Sequence, residues 1–183
     1  MEYQNRRNSQ NERNRRAPRK YFSVEGTIVG IEGVRVGGGR ADGCMQFVSV
    51  EDMDGNLVNF TVTPSTYVAD METLKEGMKG AFYYRSDLPA ILIYPPQHQA
   101  AVVIPDQRTR QFAEVGYFNA SLVNETQTLQ LTIDNRVQIL TTNHQKFLGS
   151  PARHDLVVFY TSSTRSIPAQ TTPSKIIVLC NEN

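Results

Sequence analysis

Short runs of apolar and β-branched residues, separated by glycine, proline and acidic turns, make up the chain from Tyr21 onward. In the run 57–63, Val58 and Phe60 alternate with polar residues, which is typical of a strand with one buried face. Asp54-Gly55 just before it is a tight hairpin signal. The same criteria predict strands at 24–31, 44–50, 57–63, 79–84, 90–94 and 100–104.

One helix is predicted, within residues 64–76. Thr63 can cap it, Pro64 suits its first turn, and Gly77 can end it. Three strands, a short helix and further strands follow the order of an OB-type barrel.

The second half of the chain repeats marks of the first. Segments 82–83, 88–90 and 102–104 are echoed by 159–160, 167–169 and 177–179. We therefore predict an all-β fold of two tandem small OB-like barrels. The predicted domains are an arm at 1–20, a first barrel at 21–104, a linker at 105–115 and a second barrel at 116–183. Shared β-composition without duplication is the alternative.

Charge is divided unevenly along the chain. Residues 1–20 hold seven basic and two acidic residues, a net charge of +5, whereas the rest holds 12 basic and 16 acidic residues, a net charge of −4. Such asymmetry indicates an interaction arm, extended because it has no apolar stripe to bury in a helix. The predicted binding residues of the arm are Arg6, Arg7, Arg13, Arg15, Arg16, Arg19 and Lys20.

The loop 33–43 is rich in glycine and carries two arginines. It lacks the Gly-Lys-Ser/Thr ending of a P-loop, and no helical pattern follows it, so a strand connection is the simpler interpretation. Because this connection flanks the usual ligand face of an OB barrel, Arg35 and Arg40, together with Arg85, are predicted as a weak ligand face.

No catalytic, metal or cofactor site is predicted. His98, His144 and His154 do not stand at metal-ligand spacings, and neither cysteine belongs to a Cys-x-x-Cys pair. Cys44, within a predicted strand, is expected to be buried, whereas Cys180 is expected to be more reactive. The acidic residues at 51, 52 and 54 are assigned to solvation of the hairpin.

Two motifs carry a resemblance. The segment 54–67, Asp-Gly-Asn-Leu-Val-Asn-Phe-Thr-Val-Thr-Pro-Ser-Thr-Tyr, is one, and Phe82-Tyr83 followed by Ile93-Tyr94-Pro95-Pro96-Gln97 is the other. Together they resemble a small β-domain of Clostridium-like, spore-forming Firmicutes. The resemblance covers about half the chain and implies a non-enzymatic module in such a host.

These observations predict a non-catalytic assembly protein whose basic arm docks on an acidic neighbouring surface, with a second copy as partner. The alternative is a single-stranded nucleic-acid-binding protein that uses the arm and a barrel face. Residues 1–20 contain no apolar run, so no signal peptide is expected. Synthesis in the cytoplasm, followed by deposition on a spore or cell surface, is the expected route, without a membrane partner.

Overall fold

The structure, a computed structural model, describes residues 20–35, 37–91, 93–106 and 111–180. These residues form twelve β-strands and one 3-10 turn, without an α-helix. The all-β prediction is confirmed. The strands are β1 Tyr21–Arg35, β2 Ala41–Asp52, β3 Leu57–Val62, β4 Tyr67–Val68, β5 Lys79–Arg85, β6 Gln97–Pro105, β7 Phe112–Phe118, β8 Leu129–Leu131, β9 Gln138–Thr141, β10 His154–Tyr160, β11 Ala169–Thr171 and β12 Lys175–Leu179.

The first sheet is built around β1, which pairs antiparallel with β2 and with β5. Its strand order is β3-β2-β1-β5-β6, with β4 added at β6, and a further parallel pairing of β3 with β6 closes it on itself. The β2–β3 hairpin turns at Gly55, whose φ of 82° is the left-handed conformation predicted for Asp-Gly.

The predicted helix at 64–76 is wrong. Thr66 donates its backbone N–H to the Thr63 carbonyl, and its hydroxyl accepts the Thr63 N–H, which satisfies this backbone in a turn. Tyr67 and Val68 then form β4, parallel to β6. Only the 3-10 turn Ala69–Met71 follows, with Asp70 at a positive φ of 55°.

The predicted strand at 90–94 is also absent from the described residues there, which make only an isolated bridge between Ile91 and Gln97. Pro95 and Pro96 cannot donate backbone hydrogen bonds, so they separate this loop from the sheet. β6 accordingly begins at Gln97 rather than at Ala100.

The second sheet is open, so the prediction of two tandem OB-like barrels is wrong. Its order, β7-β10-β12-β9, repeats the β1-β5-β6-β3 part of the first sheet, including the parallel pairing at its last step. In the first sheet β2 joins β3 to β1. Among the described strands of the second unit, no strand joins β9 to β7, and the short β8 pairs with β11 instead.

The linker is shorter than the predicted 105–115. β6 includes Pro105, and β7 begins at Phe112. We refer to the parts of the chain before and after this connection as the first and second units.

Three clusters of buried side chains run through the molecule. One fills the first sheet around Phe60 and Phe82, and another lies in the second unit around Phe118 and Leu156. The third, which we call the middle cluster, joins the units. Its members come from β4, the 3-10 turn, β6, β7, β10 and β12: Tyr67, Ala69, Val102, Val115, Val157, Phe159 and Ile177.

Polar contacts also join the two units. The Lys175 ammonium lies 2.6 Å from an Asp70 carboxylate oxygen and 4.7 Å from the centre of the Phe159 ring. The Tyr21 hydroxyl donates to Asp155 at 3.2 Å. These contacts hold the 3-10 turn and the start of β1 against the second unit.

Two glycines of β1 give a matched test of strand packing. A methyl group at Gly26 would lie 2.3 Å from the Glu51 carbonyl oxygen, whereas one at Gly30 would meet nothing nearer than Ser49 Cβ at 3.9 Å. Because the backbone of β1 or β2 must move to make room for this methyl group, we expect Gly26→Ala to lower the free energy of unfolding by about 1–3 kcal/mol. Gly30→Ala should be neutral or stabilise. Urea denaturation of both variants measures the difference, and equal midpoints would contradict it.

The expectation for Cys44 is wrong, because both Cys44 and Cys180 are exposed. Cys44 lies in the part of β2 that precedes its pairing with β3, where the strand has little cover. We therefore expect a maleimide to label both thiols of the native protein at similar rates, and mass spectrometry over time measures these rates. Labelling of Cys180 alone before unfolding would contradict the structure.

Candidate functional site

Most of the predicted arm lies outside the described residues, including all of its arginines. Lys20 is exposed, and its carbonyl accepts the Ser86 backbone N–H at 2.9 Å. The arm therefore joins the body beside the end of β5.

The three arginines predicted as one ligand face do not share a site. Arg35 pairs with Ala41 at one end of β1, whereas Arg85 pairs with Tyr21 at the other. These ends are separated by 15 residues of strand, about 45 Å along its path. Arg35 and Arg40 are both exposed and line one depression with Glu32 and glycines.

Arg85 is already committed to an acidic neighbour. Its Nε and one terminal nitrogen donate to the two oxygens of Asp87, at 2.9 and 2.6 Å. This paired contact raises the pKa of Arg85 further. A phosphate would have to compete with an ion pair that is already formed, which weakens the case for Arg85 as a phosphate ligand.

An acidic notch lies where β1, β2 and β5 meet below the first sheet. It has a volume of about 320 Å³. Four carboxylates and one ammonium line it, a net charge of −3, from Glu25, Glu51, Asp52, Asp106 and Lys79.

Strand register explains why these carboxylates converge. Gly26 pairs with Asp52 on one side and with Gly80 on the other. A Cβ at Gly26 would meet the Glu51 carbonyl of β2, and one at Gly80 would meet the Ile104 carbonyl of β6. These glycines therefore allow close approach on both sides of the β1–β5 pair, and residues that flank them line the gap. Asp106 is held there because its backbone N–H donates to the Lys79 carbonyl at 2.8 Å.

Asp52 has a second role in the β2–β3 turn. One of its carboxylate oxygens accepts the backbone N–H groups of Asp54 and Asn56, at 2.9 and 2.8 Å. These bonds, chiefly those from Asn56, lower the pKa of Asp52, so it is ionised at neutral pH. The notch therefore keeps one carboxylate that the protein itself fixes in place.

A larger groove, with a volume of about 630 Å³, lies between the two units; we call it the inter-unit groove. Its floor includes Tyr67, Ala100 and Ala101, next to the middle cluster. Its polar lining is largely uncharged: Ser65, Thr66, Gln99, Thr142 and Asn143. Tyr21, Arg85, Glu72 and Cys180 stand at other points of the wall.

Two buried polar atoms lie at or near this groove, one on Tyr67, which lines it, and one on His144, which follows the lining residues Thr142 and Asn143. The Tyr67 hydroxyl and the His144 Nε2 have no hydrogen-bond partner among the described residues, and their rings lie 6.3 Å apart. Burial, with help from the Asp70 carboxylate, raises the pKa of Tyr67 to about 12, and the Asp70 backbone N–H opposes this rise. The phenol is therefore a neutral donor at physiological pH.

A short aromatic ladder lies on the first unit. The Tyr84 and His98 rings stack at 3.9 Å, and Phe22, half exposed, lies 5.8 Å from Tyr84. Burial lowers the pKa of His98, so the stack is uncharged at neutral pH.

In the described part of the chain, no group of three or more His, Cys, Asp or Glu side chains could hold a metal ion. Nor is there, within those same residues, a helix long and apolar enough to cross a membrane.

Sequence reasoning missed the notch and the groove. The sequence pattern assigns Glu51 and Asp52 to hairpin solvation, and it singles out neither Glu25 nor Asp106, which are far from the hairpin in sequence. The available signal was a pair of strand glycines, Gly26 and Gly80, each next to charged residues. Glycine inside a strand often marks a close approach of two backbones.

Comparison with known proteins found no matching protein-family model, curated protein or solved structure.

Proposed function

We propose that this chain is a non-catalytic assembly protein whose basic N-terminal arm docks on the acidic notch of a neighbouring copy. The notch carries the proposal, because a described surface with a net charge of −3 complements an arm with a net charge of +5. Both net charges already count the opposite charges within each set, Lys79 in the notch and Glu2 and Glu12 in the arm. A chain that carries both can associate with itself.

The strength of such docking depends on how many ion pairs form together rather than on any single ion pair. An exposed ion pair contributes about 0–1 kcal/mol. Seven cations in 20 residues allow several pairs to form together. Exposed charges are screened beyond ~8 Å at physiological ionic strength. Assembly should therefore weaken as salt is added.

We further propose that the first unit is an OB-like barrel. Its support is the strand order β3-β2-β1-β5-β6 with the parallel β3–β6 pairing that closes it. The second unit would be an incomplete relative that lost the strand equivalent to β2. In this view the second unit supports the barrel through the middle cluster and is not a second binding domain.

Single-stranded nucleic acid is the second candidate partner. The ladder of Phe22, Tyr84 and His98 favours it, because such rings can stack with bases. Electrostatics disfavour it: Arg85 is paired with Asp87, and the other two candidate arginines lie at the far end of β1. Only the arm would then supply cations for the phosphates.

The proposed setting is the surface of a spore or an appendage. It rests on the resemblance of segments 54–67 and 82–97 to a β-domain of spore-forming Firmicutes. Docking of an arm on a neighbour is a contact suited to a surface layer, because it requires neither an enzyme nor a cofactor.

Neutralising the notch should abolish assembly. The double variant Glu25→Gln/Glu51→Gln removes two of its charges and leaves the Asp52 turn intact. The matched control Glu76→Gln/Glu125→Gln removes two exposed charges elsewhere. Size-exclusion chromatography with light scattering should show the higher-order species lost in the first variant and kept in the second. Equal behaviour of the two variants would contradict docking at the notch.

Deleting residues 1–19, which leaves the Lys20 carbonyl that bonds to Ser86, should abolish association without changing thermal unfolding. The three buried clusters pack strands of the two units against one another, and the proposal places the arm on a neighbouring copy. Light scattering and a melting curve on the same sample measure both effects. If the truncated protein assembles normally but loses affinity for single-stranded RNA or DNA, the nucleic-acid function replaces the assembly function.

A further inference from the structure

We infer that the inter-unit groove is a second docking site for the arm of the neighbouring copy, and that it takes the asparagine-rich segment 4–14. This inference rests on the proposed function, because it names where the rest of the docked arm lies. The notch would hold the arginines near the end of the arm, and the groove would hold the amide side chains before them.

The chemistry of the groove matches that segment. Residues 4–14 include amide side chains at 4, 5, 8, 10, 11 and 14. Amides both donate and accept hydrogen bonds, as do the hydroxyl and amide groups that line the groove. Among the charged residues of the wall, Arg85 is paired with Asp87, so Glu72 is left to meet an arginine.

The groove also holds bonding capacity that the described protein does not use. Tyr67 is only 3% exposed and lines the groove, and its hydroxyl has no partner among the described residues. The same is true of Nε2 of the nearby His144. A buried polar group without a hydrogen-bond partner destabilises the protein, because it loses its bonds to water and gains none in return. An amide could donate to the imidazole nitrogen and accept from the phenol, which would pair both.

The distance between groove and notch suits a single arm. The β1–β5 pairing runs from Tyr21–Arg85 at the groove to Thr27–Lys79 at the notch. Its seven pairs span about 20 Å of strand. An extended chain of 20 residues reaches about 65 Å. One arm is therefore long enough to contact both sites at once.

The direction of β1 favours a second copy as the donor of the arm. β1 runs from the groove end toward the notch end, and Lys20 is held at its start by the bond to Ser86. In its own copy, Arg19 is bonded directly to Lys20 at the groove end, about 20 Å of strand from the notch. The inference requires the last arginines of the arm in the notch and the amides before them in the groove, an order that a neighbour's arm can take.

Filling the groove tests the inference in the full-length protein. Thr142 is exposed and lines the groove, whereas Thr172 is exposed and does not. We expect Thr142→Trp to weaken association by about tenfold or more, with Thr172→Trp unchanged. If Thr142→Trp assembles as the parent does while Glu25→Gln/Glu51→Gln does not, the groove inference is overturned and the proposed function stands. If all of these variants assemble normally, both are overturned.

Cross-linking gives an independent test that does not depend on how Thr142→Trp folds. Cys180 lines the groove and is exposed. In a Cys44→Ser background, a short bis-maleimide should join the thiol introduced by Asn8→Cys to the thiol of Cys180. With mixed light and heavy isotope-labelled protein, mass spectrometry should find the linked peptides between copies.

The control variant carries Cys180→Ser and Thr172→Cys, and its cysteine at 172 should not be linked. Links within one copy would overturn the second-copy donor, and no link to Cys180 would overturn the groove.

Discussion

The burial of β6, β10 and β12 on both faces determines how the rest of the molecule is arranged. In β10, Leu156 and Val158 belong to the core of the second unit, while Val157 and Phe159 belong to the middle cluster. β6 divides its side chains in the same way between the first core and the middle cluster. Strands of this kind are continuous apolar runs, because neither face meets water. The two units are therefore one packed body rather than two beads on a linker.

The inter-unit groove is a consequence of that packing. The middle cluster brings β4, β6 and the end of β12 together, and the groove is lined by residues of these strands and of the loops beside them. The Lys175–Asp70 ion pair holds one part of the seam, and the Tyr21–Asp155 bond holds another. The notch arises differently, from the close crossing of strands at Gly26 and Gly80. One chain thus presents two concave surfaces, an acidic one and a nearly uncharged one, at opposite ends of the β1–β5 pairing.

Sequence patterns were most reliable where local chemistry decides structure. The Asp54-Gly55 turn and the strands on either side of it follow from backbone freedom at glycine and from alternation. The sequence patterns gave wrong predictions where a residue far away in sequence decides the local structure. Residues 67–68 carry an apolar pattern compatible with a helix, but a free strand position beside Val102 and Val103 draws them into the sheet. The echo of residues 82–83 at 159–160 marks strands with corresponding neighbours, yet it could not show that the second sheet stays open.

By itself, the sequence determined the β character of the body, its hairpin turn at Asp54-Gly55, the repeated strand pattern and the separation of positive charge into the first 20 residues. These depend on the residues themselves or on neighbours a few positions away. Only the tertiary structure decided that Glu25, Glu51, Asp52 and Asp106 form one notch, that Arg85 is neutralised by Asp87, and that Cys44 is exposed. Each of these depends on strand register and on how two curved sheets meet, and residues far apart in sequence are brought together by burial of the apolar strands between them.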